Sequence, residues 1–144
     1  MFDFLTFIPR AIMQGIPLLY GSTGETLTEK SGNLNLGIPG IMYVGAISGV
    51  IGSFLYEQCT GGDVNAFLVV AIPLLSCLLG SLLMGLLFSV LTITLRANQN
   101  VVGVAMTAFV VGVGNFFGGS LIKLTGSAVP SIALSTTSGY FSRT

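Results

Sequence analysis

The chain has 144 residues, of which 52% are hydrophobic and only 7% charged, with five basic side chains, five acidic ones and no histidine; its mean hydropathy is +0.92. A soluble domain carries about 25% charged residues, so this composition excludes a water-facing globular fold. Zero net charge without a basic tract gives no sign of a nucleic-acid partner, and scattered carboxylates without histidine offer no metal-ligand cluster.

Residues 31–56, 64–95 and 97–122 hold no formally charged side chain. About 20 apolar residues suffice to cross a bilayer as a helix, so three spans are expected, with a fourth, shorter one at 11–24. The runs are continuously apolar. They lack the alternating segments of about 10 residues that mark a transmembrane barrel. The expected class is an all-α integral membrane protein with about four transmembrane helices and a broken or re-entrant segment between the first two.

Residues 1–10 read as an interfacial lead-in, with Phe2, Phe4 and Phe7 beside Asp3 and Arg10. The apolar stretch after Arg10 contains Pro17 and has no small-residue cleavage site, so it is not read as a cleavable signal. At 1.5 Å per residue, 11–24 reaches only about 21 Å, short of a crossing. This element either borrows length, giving a first helix over 11–30, or ends inside the membrane. Both options push the next segment toward membrane depth.

That segment, Glu25 to Gly40, concentrates Glu25, Glu29, Lys30, Asn33 and Asn35 and is interrupted by Gly32, Gly37, Pro39 and Gly40. Polar groups are kept at membrane depth mainly where they line a cavity or a path, and unwound backbone supplies further donors and acceptors there. The other reading is an ordinary solvated turn. The second helix is expected over 36–56, with Pro39 suited to a helix start. Its Gly45 and Gly49 are small residues at helix-packing spacing. Residues 57–65 form a polar loop with a turn at Gly61-Gly62. The third helix, 66–95, contains Pro73 and a second small-residue stripe at Ser81, Gly85 and Ser89. Arg96, Asn98 and Gln99 then make a second polar break, read as a helix end with a snorkelling arginine. A glycine-rich fourth helix is expected over 101–122, and 123–144 reads as a loop. Cys59 and Cys77 read as unpaired thiols. With four crossings, Arg10, Lys30, Arg96 and Lys123 divide two against two, so the positive-inside rule sets no orientation.

Two stretches carry a family resemblance. Thr28-Glu29-Lys30-Ser31-Gly32-Asn33-Leu34-Asn35-Leu36-Gly37, with Gly40 and Met42, resembles the "S-E-R-S-G-V-L-N-L-G-x-E-G-M" signature of permease subunits of bacterial ABC importers for nucleosides and simple sugars. These belong to the broader branched-chain amino acid and ribose permease superfamily. Leu95-Arg96-Ala97-Asn98-Gln99, with Val101, Val102 and Gly103, resembles that family's "L-R-x-x-Q-x-V-x-G" stretch. Lys30 stands in place of the more usual Arg, Pro39 where Glu is frequent, and Thr107 where Asn is common.

The resemblance implies the N-terminal half of a multi-pass permease of the bacterial cytoplasmic membrane. It would sit in lipid with a second permease subunit, two ATP-binding subunits and an extracytoplasmic solute-binding protein. It would bind no cofactor itself, ATP being held by the partners. On that reading Glu29, Lys30, Ser31, Asn33, Asn35, Gly37, Pro39 and Gly40 line the path or form the helix break. No nucleophile–base or acid–base constellation argues for an enzyme. A small self-contained oligomeric channel or scaffold is the alternative.

Overall fold

The computed structural model describes residues 4–61 and 65–125, with side chains through Phe116. Helix α1 spans Phe4–Lys30, 27 residues or about 40 Å. It absorbs both the expected lead-in and the first part of the expected break. Pro9 and Pro17 lie inside it, and no lost crossing length follows. In its polar C-terminal half the hydroxyls bond back onto the helix without interrupting it: Ser22 and Thr23 donate to the Leu19 carbonyl at 3.0 and 2.8 Å, and Thr26 to that of Ser22 at 2.9 Å. Of the two expected options the helix takes the first: it borrows length on both sides, ending at Lys30 as in the expected 11–30 but beginning at Phe4.

Helix α1 ends at a left-handed glycine. Gly32 has φ +82°. The Gly32 N–H donates to the Glu29 carbonyl at 2.9 Å and the Asn33 N–H to that of Thr28 at 3.1 Å, the paired closure of a Schellman turn. Helix α2 spans Ile38–Thr60, with Pro39 in its first turn and Gly61 closing it at φ +60°. It starts two residues later than the expected 36.

Helix α3 spans Ala66–Ser89 and continues through a π-helical turn, Val90–Thr94. Asn65 caps it by accepting from the Phe67 N–H at 3.2 Å. In the π turn, the Leu95 N–H reaches back five residues to the Val90 carbonyl at 3.1 Å. Helix α4 spans Gln99–Thr125, so residues 123–125 are helical where a loop was expected. The remainder of that expected loop, 126–144, lies outside the described residues.

Among the described residues, three stretches, Ile38–Thr60, Ala66–Thr94 and Gln99–Phe116, are long and apolar enough to cross a membrane. Helix α1 has the length but carries Arg10, Glu25, Glu29 and Lys30.

The central helix is α2. Contacts run Gly45 to Cys77 and Ser81, Gly49 to Pro73 and Cys77, and Gly52 to Ser76 and Ile72. The descending order makes α3 antiparallel to α2. Gly37 meets Gly103, Gly40 meets Thr107, and Gly114 meets Tyr43 and Ile47, so α4 runs parallel to α2. Helix α1 touches α2 lightly, with Gly21 against Ile38 and Met42. The interior apolar set is small: Tyr56, Val69, Phe88, Met106 and Val110. The outward faces are rich in leucine, as at Leu78, Leu82 and Leu86 on α3. In water this would be a large exposed apolar patch; in a bilayer it is a lipid- or helix-facing surface.

Candidate functional site

The two polar breaks, far apart in sequence, meet in space. The polypeptide order places both 31–37 and 95–98 at the same end of the bundle. The first break lies along the opening turns of α4, where the Leu34 N–H donates to Gln99 Oε1 at 2.9 Å and Thr107 Oγ1 to the Leu36 carbonyl at 3.4 Å. From the other flank, the Asn35 N–H donates to Glu25 Oε1 at 3.1 Å.

Each expected site residue has a definite place here. Asn35 is buried, 7% exposed, and its Oδ1 accepts from the Gly37 N–H at 2.9 Å. That bond turns the chain into α2, whose N-cap residue, Gly37, has no side chain to cap with. Asn33 is half-buried, and its Oδ1 has no hydrogen-bond partner among the described residues. Ser31 Oγ donates to the Thr28 carbonyl at 2.6 Å, a local bond at the end of α1.

Glu29 and Lys30 are exposed at that same end. Gly37 and Gly40 are buried and Pro39 exposed. An open cleft of about 400 Å³ between α1, the break and the start of α2 is lined by Ser22, Glu25, Glu29, Asn35 and Pro39 among apolar side chains.

Close approach of α2 and α4 is what brings the breaks together. A methyl group on Gly103 would stand 2.7 Å from the Gly37 nitrogen and 2.9 Å from the Leu36 carbonyl carbon. One on Gly40 would stand 3.0 Å from the Thr107 Cα. Only hydrogen fits at such a contact.

In the second break, Asn98 Oδ1 accepts from the Asn100 N–H at 3.1 Å and so caps α4. Arg96 is exposed and left-handed, φ 52°, between the π turn and that cap. A non-glycine residue is uncommon there.

Of the packing stripes, Gly45 and Gly49 lie against α3, and Ser81 faces Gly45. Ser89 is half-buried, whereas Gly85 has open space beside it.

Sequence reasoning passed over Glu25, Gly103 and Thr107 as parts of one junction. Glu25 was legible as one of few charges, four residues before Glu29 on the same helix. The pairing of Gly37 with Gly103 has no local signal.

The family model described as "Branched-chain amino acid transport system / permease component" matches residues 7–144. The chain is 32% identical over 109 residues to the guanosine ABC transporter permease protein NupQ of Bacillus subtilis, covering 73% of this chain and 31% of that protein. It is 30% identical over 115 residues to the putative glucose ABC transporter permease protein TsgC13 of Haloferax volcanii, covering 80% and 32%. With the nucleoside ABC transporter permease protein NupC of Lactococcus lactis it shares 32% identity over 113 residues, covering 76% and 33%. The chain thus spans about a third of the length of the curated relatives it matches. No solved structure matches the chain.

Proposed function

The chain belongs to the branched-chain amino acid transport system / permease component family, and from that premise we propose that it forms part of the membrane path of an ABC importer for nucleosides or simple sugars. The family is one of transport proteins rather than enzymes, and its setting is a multi-pass protein of the plasma membrane. The observation that carries the reading is the junction of the two breaks, where Gln99 of α4 holds the Leu34 N–H of the non-helical segment 31–37. The same two stretches carry the sequence signatures.

Neutral amides and interrupted backbone suit the hydroxyls and amides of an uncharged polar solute. The relatives' names, which specify guanosine, nucleosides and glucose, point to that solute class. In this reading Asn33, Asn35, Gly37, Pro39 and Gly40 shape the break, and Glu29, Lys30 and Ser31 border it. Two ATP-binding subunits drive the alternate opening of the path, a second permease completes it, and an extracytoplasmic solute-binding protein delivers the solute.

The test is uptake of radiolabelled guanosine, cytidine, ribose and glucose by cells with and without the gene. Loss of one solute class, restored by complementation, supports the proposal. Unchanged uptake of all four overturns it.

A further inference from the structure

We propose that Glu25 and Gln99 are positioning residues for solute passage, two acceptors on different helices that clasp consecutive backbone N–H groups of the break. The inference rests on the transport reading above. Local structure accounts for four of the donors around the segment. The Gly32 and Asn33 N–H groups close the end of α1, the Gly37 N–H goes to Asn35 Oδ1, and the Ile38 N–H goes to the Asn35 carbonyl.

The Leu34 and Asn35 N–H groups are each met by a side chain from outside the segment. Gln99 Oε1 on α4 takes the first at 2.9 Å, and Glu25 Oε1 on α1 takes the second at 3.1 Å. Helix α1 also meets α2 where Gly21 lies against Ile38 and Met42. The Glu25 bond adds a polar tether between the end of α1 and the break. Together the two bonds tie α1 to α4 through two adjacent residues. A displacement of either helix is carried directly into the segment that Asn33 and Asn35 occupy.

The clasp depends on reach rather than on charge. Removing one methylene withdraws the acceptor by about 1.5 Å, beyond hydrogen-bond distance, while exchanging carboxylate for amide keeps an oxygen in place. The discriminating variants are Glu25→Gln and Gln99→Glu, which keep length, and Glu25→Asp and Gln99→Asn, which shorten it. They are made in the assembled transporter in lipid nanodiscs.

Residue-resolved hydrogen exchange is read at the Leu34 and Asn35 amides, and uptake is read as maximal rate and half-saturation separately. The length-keeping pair holds amide protection and maximal rate within about twofold of the parent. Each shortened variant speeds exchange of its own amide about tenfold, the effect of losing roughly one net hydrogen bond, and lowers the maximal rate several-fold at unchanged half-saturation.

Shortened variants that keep their protection overturn the clasp. So does loss in the length-keeping pair alone, which would mark a charge effect. Lost protection with an unchanged maximal rate overturns the role in passage. The exchange readout decides the clasp even if none of the four solutes is transported, so failure here and failure of the transport reading are separable.

Discussion

Replacing Gly103 with alanine tests whether α2 and α4 approach as closely as the junction requires. The added methyl would stand 2.7 Å from the Gly37 nitrogen, 2.9 Å from the Leu36 carbonyl carbon and 3.0 Å from the Leu36 Cβ. Two of these neighbours are backbone, so no side-chain rotation relieves them and the break itself must move off α4. Overpacking of this kind costs about 1–3 kcal/mol. Shifting Leu34 from Gln99 forfeits one hydrogen bond, about 1 kcal/mol more. Against this, alanine gains up to about 1 kcal/mol of helix propensity over glycine.

The net expectation is a loss of about 2 kcal/mol, or a fall in midpoint temperature of roughly 4–8 °C, measured by thermal unfolding of the purified permease in nanodiscs. Gly112→Ala, on the same helix with no atom within 4 Å of the added methyl, supplies the propensity effect alone and is expected to hold or raise the midpoint. A Gly103→Ala protein as stable as its parent would refute the close approach, and with it the geometry of the junction.

Asn35→Leu removes the acceptor for the Gly37 N–H and buries that donor unpaired, so uptake is expected to fall at least tenfold, while Asn35→Asp, which keeps an oxygen, retains most of it. Transport assays on both at matched expression decide this. Tyr56→Phe deletes the phenolic oxygen that accepts from the Asn65 N–H at 3.2 Å and should destabilise the α2–α3 connection by about 1 kcal/mol, read as a lower unfolding midpoint. Gly80→Val drives a branched side chain into Ser48 and is expected to cost about 1–3 kcal/mol, whereas Gly85→Val, with open space beside it, should be much milder; parallel thermal unfolding compares them. A maleimide probe should label exposed Cys59 at least tenfold faster than Cys77, which lies against Gly45 between α2 and α3.

The apolar spans were legible because bilayer thickness imposes a length that composition reveals. Helix α1 was legible over 11–30 on the length-borrowing option, although its polar half looks like a loop by composition; its start at Phe4 was not. Ser22, Thr23 and Thr26 are usually assigned to turns because their hydroxyls compete for backbone groups outside helices. Here those hydroxyls spend their donors on carbonyls three or four residues back, which is compatible with an unbroken helix. The actual end, at Gly32, is set by the left-handed conformation that glycine tolerates. The break is therefore seven residues, 31–37, rather than the sixteen its composition suggested.

The residues of the junction were partly legible, but their relation was not. Asn33, Asn35 and Gln99 stand out as amides flanked by apolar runs, and that singles them out individually. Their pairing depends on α2 and α4 running parallel with Gly37 over Gly103, a contact between residues separated by a whole helical hairpin. Glu25 illustrates the same limit from the other side. Its position on α1 looks like a solvated charge until the chain folds back through Gly32 and presents the Asn35 N–H to it. A carboxylate that holds backbone in this way is constrained in length rather than in charge. Substitution by aspartate, conservative by composition, is therefore the more disruptive change at that position, and glutamine the milder one.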